Sequence, residues 1–108
     1  MEIGSLENMI SSGRDSAMLR LTLARLLARQ GKLPEAIQHL ESAVAQDPAY
    51  TAAWKELGRL FEDAGNPASA RAAWQRGVAV AQARGDKQAG KEMNVFLKRL
   101  EKKQAGMQ

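Results

Sequence analysis

Leu57-Gly58-Arg59-Leu60-Phe61-Glu62-Asp63-Ala64-Gly65-Asn66-Pro67 follows the plan of Leu23-Ala24-Arg25-Leu26-Leu27-Ala28-Arg29-Gln30-Gly31-Lys32-Leu33, thirty-four residues earlier. Working outward, Ala17 to Tyr50 laid on Thr51 to Arg84 matches at Leu23/Leu57, Arg25/Arg59, Leu26/Leu60, Gly31/Gly65, Ala36/Ala70, Val44/Val78, Ala45/Ala79 and Ala49/Ala83. Most of these are apolar or glycine positions, the ones a helical hairpin needs. A fixed period between 20 and 50 residues marks stacked supersecondary units, none of which buries its apolar face alone.

The helices read directly. Ile3, Leu6 and Ile10 make a short amphipathic stretch that Ser11-Ser12-Gly13 stops. Asp15 or Ser16 can cap the next helix, to Gln30, with a stripe of Leu19, Leu23, Leu26 and Leu27. Gly31 closes it, and Pro34 suits the first turn of a helix running to Gln46 with Ala36, Ile37, Leu40, Ala43 and Val44 inward. Thr51 to Ala64 presents Trp54, Leu57, Leu60 and Phe61; Pro67 to Ala83 turns Ala70, Trp74, Val78 and Ala81 inward. Arg84-Gly85-Asp86 breaks the chain before a fifth long helix, 86–103, with Ala89, Met93, Phe96, Leu97 and Leu100 on one face and lysines on the other. Residues 104–108 are expected to fray. Gly58, mid-helix, costs roughly 1 kcal/mol relative to alanine, so close packing of a neighbouring helix is the reason expected for it.

The chain of 108 residues reads as one all-α domain, long enough to bury a core. No apolar run reaches the roughly 18–20 residues that span a bilayer, and no basic-then-apolar leader opens the chain. With no cysteine there is no disulfide and no thiolate zinc site. The expectation is a cytoplasmic protein with no cofactor or metal, a monomer or weak homodimer. Its net charge of +4 is uneven: residues 1–48 carry five Lys/Arg against six Asp/Glu, residues 49–108 eleven against six.

At Trp54-x2-Leu57-Gly58-x2-Phe61 and Ala70-x3-Trp74 the chain resembles the tetratricopeptide repeat family, whose pattern is W-x2-L-G-x2-Y, then A-x3-F, then P. Leu23-Ala24-x2-Leu27, Ala36-x3-Leu40 and Asp47-Pro48 give a second copy, with Arg20 where the tryptophan stands, which suits an end repeat with no outer neighbour. Gly77 and Gln82 depart from the pattern. The resemblance covers 17–50 and 51–84 as repeats after an N-terminal segment 1–15, with 86–103 as a capping helix. It implies an α-solenoid, a right-handed superhelical stack of antiparallel helix pairs. Its concave groove would bind a peptide segment or protein tail with roughly micromolar affinity and no catalysis.

Carried over residue by residue, the resemblance places Met18, Leu21, Arg25, Ala28 and Arg29, then Lys55, Glu56, Arg59, Glu62 and Asp63, on that groove. Arg25, Arg29, Lys55 and Arg59 form a ladder of cations suited to an acidic side chain or a free C-terminal carboxylate; the alternative is pairing with Glu56, Glu62 and Asp63. The carboxylate clamp of chaperone-tail-binding members is not expected, because Leu21, Arg25 and Glu56 stand where it needs lysine and asparagines. Catalysis is poorly supplied. His39 is the one histidine, expected on the convex side, and no glycine-rich phosphate loop exists. Trp54, Trp74, Phe61 and Phe96 are expected in the core. The rival function is nucleic-acid or anionic-surface binding through the basic C-terminal helix.

Overall fold

A computed structural model describes residues 2–106, and among them there are six α-helices: α1 Ile3–Ser11, α2 Ala17–Arg29, α3 Leu33–Gln46, α4 Thr51–Asp63, α5 Pro67–Arg84 and α6 Lys87–Gly106. The helix ends follow from local chemistry. Ser16 accepts from the Leu19 amide at 3.1 Å and caps α2; Asn66 accepts from Ser69 at 3.2 Å and caps α5. At the other ends, Gly31 and Gly65 take φ of 76° and 79°, a region closed to most side chains. There the Lys32 amide returns to the Leu27 carbonyl at 3.0 Å, and the Asn66 amide to Phe61 at 2.9 Å, so both repeats turn in the same way.

Consecutive helices pack as antiparallel hairpins along a body of 47 × 31 × 19 Å. The stack is curved. Among the described residues α2 touches α4 and α4 touches α6, whereas α1, α3 and α5 do not touch one another. The first three therefore line the inner side, and the last three are splayed along the outer side. Two buried clusters fill the interior. Leu6, Leu23, Leu27, Leu40 and Leu57 belong to the first; Trp74, Ala81, Met93 and Leu100 belong to the second, and Phe61 packs against both.

Two expectations about the ends are corrected. Helix α6 continues through residues 104–106, where the Arg71 guanidinium on α5 donates to the Gln104 side-chain oxygen; 107 and 108 lie outside the described residues. The first repeat also has an outer neighbour. Helix α1 packs on α2 and buries Leu6 completely. Arg20 is not free there: its guanidinium grips Asp15 in two hydrogen bonds of 2.9 and 2.7 Å. No helix of the described residues is long and apolar enough to cross a membrane.

The small residues sit at close helix contacts. A Cβ on Gly58 would lie about 2.5 Å from the Cδ1 and Cε2 of Trp74, nearer than any real contact. Trp74 lies against α4 there, its indole N–H donated to the Lys55 carbonyl at 3.1 Å. Gly77 does the same for α6: its missing Cβ leaves room for the Met93 thioether and sits 3.0 Å from the Cβ of Trp54. The departure from the family pattern at this position is what lets α6 settle onto α5.

Candidate functional site

The inner side is a trough made of two clefts. The first, about 370 Å³ between α2 and α4, is lined by Arg25, Ala28, Arg29, Glu56, Arg59, Leu60 and Asp63. The second, about 400 Å³ between α4 and α6, is lined by Arg59, Glu62, Asp63, Trp74, Phe96, Arg99 and Lys103. Arg59 and Asp63 belong to both, so the clefts are continuous across α4. Together they hold five cations (Arg25, Arg29, Arg59, Arg99, Lys103) against three carboxylates (Glu56, Glu62, Asp63).

The pairing of these charges decides which are available. Lys55 reaches Glu92 on α6 at 3.2 Å, and Glu62 reaches Lys103 at 3.6 Å. Sequence numbers rise together in the two pairs, so α4 and α6 run the same way and are tied at two levels. Arg59 lies 3.9 Å from Glu56 with 59% of its side chain exposed, a loose pair worth little in water. Arg25, Arg29 and Arg99 have no carboxylate within ion-pair distance among the described residues.

The residues expected in the groove are thus placed unevenly. Arg25, Ala28, Arg29, Glu56, Arg59, Glu62 and Asp63 line the trough. Leu21 does not: at 3% exposure it belongs to the core cluster with Leu23, Ala53 and Leu57. Its repeat-equivalent is Lys55, whose long stem carries the charge out to Glu92, whereas an apolar side chain at that position is drawn inside. Lys55 lines a separate recess with Thr51, Asp86 and Glu92. The cation ladder therefore lacks its third rung. Met18 is 69% exposed and lines neither cleft.

The capping helix supplies residues that the sequence reading passed over. Phe96, Arg99 and Lys103 fall at i, i+3 and i+7 and share one face of α6. That stripe mixes an aromatic with two cations, a signal that the division into apolar core face and solvated lysine face obscures. Phe96 is only half-buried, its ring 5.2 Å from that of Trp74 and the Arg99 guanidinium 5.9 Å from its centroid. Trp54 is likewise half-buried: its N–H is donated to the Pro48 carbonyl at 2.8 Å and Arg76 stands 5.9 Å from the ring.

On the outer side, His39 of α3 meets Arg20 through Nδ1 at 3.1 Å. Burial, and then the Arg20 charge, push its pKa below the ordinary 6.5, so the neutral ring accepts the guanidinium hydrogen. Arg20, followed by Gln46, holds the Asp15 carboxyl well below the usual carboxylate range. The carboxylate thus orients the arginine and not the imidazole, unlike a general-base dyad. Ser42 shares the recess but makes no hydrogen bond to the ring among the described residues. No group of three metal-ligating side chains is brought together among those residues.

A family profile described as tetratricopeptide repeat matches residues 21–87. A TPR repeat-containing protein of Pseudomonas aeruginosa is 46% identical over 102 residues, covering 94% of this chain and 97% of that one. The solution structure of a Bordetella parapertussis protein superposes with a TM-score of 0.83 at 42% identity, covering 97% of this chain and 93% of the other. A tetratricopeptide repeat domain protein from Salinibacter ruber, at 23% identity, TM-score 0.75 and coverage of 81% and 97%, shares the fold.

Proposed function

The chain belongs to the tetratricopeptide repeat family, and from that premise we propose that it is a protein-interaction scaffold holding an acidic peptide segment or protein tail along the inner trough. The family suggests the scaffold. The particular surface rests on one observation: Arg25 and Arg29 stand beside the loosely held Arg59 on a concave wall, without intramolecular partners among the described residues. Guanidinium groups in that state offer planar, paired donors to a carboxylate at little desolvation cost. Part of the same reading is that the protein acts in the cytoplasm and without catalysis.

Affinity capture from native lysate tests this. Proteins retained by the wild type are expected to be lost with Arg25→Glu/Arg59→Glu and kept with Lys98→Glu/Lys102→Glu, whose side chains are exposed and line neither cleft. Loss in the second pair alone would instead favour anionic-surface binding by α6. That reading also requires log affinity to fall by about 0.9 per phosphate neutralised for each unit of log salt.

A further inference from the structure

We infer that the capping helix completes the trough as a second subsite, so that the segment recognised pairs a carboxylate with an aromatic side chain. The inference rests on the trough reading and gives it a specificity. In the α4–α6 cleft the Trp74 ring is 1% exposed and its N–H is already spent on the Lys55 carbonyl, so the aromatic surface offered there is that of Phe96. The Arg99 guanidinium stands 5.9 Å from the Phe96 centroid and has no carboxylate within ion-pair distance among the described residues. An incoming ring can present its face to that guanidinium and its edge to Phe96, the arrangement that aromatic quadrupoles favour.

The neighbouring charges say where each part of the ligand goes. The Lys55–Glu92 pair, a hydrogen bond of 3.2 Å, ties α4 to α6, and the looser Glu62–Lys103 pair at 3.6 Å sets one carboxylate against one cation within the second cleft. In the α2–α4 cleft Arg25, Arg29 and Arg59 remain for a carboxylate. Asp63, on both clefts, repels an unbroken acidic run and favours an uncharged link whose backbone N–H it can accept. The occupant is a linear segment with its acid over α2 and its aromatic over α6.

Fluorescence anisotropy with synthetic dodecapeptides tests this. The probe carries two glutamates and one tryptophan in a Gly/Ser background; a second peptide has alanine for the tryptophan, and a third has lysines for the glutamates. The wild type is expected to prefer the first over the second by about fivefold or more and to bind the third more weakly than either. Arg99→Gln and Phe96→Leu should each reduce the ratio of tryptophan-peptide to alanine-peptide affinity to below twofold. Arg99→Gln alters an exposed side chain, so the test stands even should Phe96→Leu unfold. Lys98→Gln, on another face of α6, should keep the preference. If tryptophan and alanine peptides bind alike while Arg25→Glu weakens both, the trough reading survives and this inference is overturned. If none of the peptides binds at millimolar concentration, both are overturned.

Discussion

Replacing Gly58 by alanine measures how tightly the second hairpin is closed. On an open helix face the change is favourable by about 0.5–1 kcal/mol, because alanine loses less backbone freedom. Gly4 is such a position, with nothing within 4 Å of an added Cβ. At Gly58 the new Cβ would lie about 2.5 Å from two carbons of the Trp74 indole, nearly 1 Å inside the 3.4 Å at which ordinary contact begins. Trp74 has no room to yield. It is 1% exposed, its N–H is bonded to the Lys55 carbonyl at 3.1 Å, and the Phe96 ring lies 5.2 Å away, tilted by 45°. Either α4 and α5 part, at an overpacking cost of about 1–3 kcal/mol, or the indole leaves, which approaches the roughly 3–5 kcal/mol of a Trp truncation. Setting the propensity gain against this leaves a net loss of about 2 kcal/mol, a melting point lower by roughly 10 °C. Urea denaturation followed by tryptophan fluorescence and far-UV circular dichroism gives the number. A Gly58→Ala variant as stable as Gly4→Ala would refute the claim that Trp74 packs directly on the α4 backbone.

The other glycines of the later helices divide the same way. Gly90→Ala should stabilise by about 0.5–1 kcal/mol in the same denaturation assay, since its Cβ would meet Ala81 at an ordinary 3.7 Å. Gly77→Ala should cost about 1–2 kcal/mol, because the Met93 thioether can shift but the Trp54 Cβ, 3.0 Å away, cannot. Ser16→Ala removes the bond to the Leu19 amide and should cost about 1 kcal/mol. The His39 pKa is depressed in the folded state, so the unfolded chain binds the proton first. Stability is then full above pH 6.5 and declines as pH falls through the folded value. Urea midpoints between pH 7 and 5 should show that decline in the wild type and a flatter profile in His39→Gln.

Much of the architecture was legible because each helix boundary is written in residues with a single physical job. Gly31, Gly65 and Gly85 take positive φ, and Ser16 and Asn66 cap the helices that follow Arg14-Asp15 and Gly65. Periodicity also located Leu23, Leu40, Ala70 and Trp74 in the interior. The trough was harder to read, because a family position fixes where a side chain starts and not where it ends. Leu21 and Lys55 begin at equivalent points, yet one is in the core and the other pairs with Glu92. The contribution of α6 was obscured for a related reason. Phe96, Arg99 and Lys103 read as core and solvent until α6 is seen lying parallel to α4, tied by two ion pairs that span 37 and 41 residues of sequence. Separations of that size leave no local pattern.

The most direct test of the central claim, that the inner trough is the interaction surface, is an NMR titration of isotope-labelled protein with the glutamate–tryptophan peptide. Amide shift changes are expected at Arg25, Arg29, Arg59, Asp63, Phe96 and Arg99, along the inner faces of α2, α4 and α6. Shifts confined to α1, α3 and α5, or to the Lys98 and Lys102 face, would contradict it.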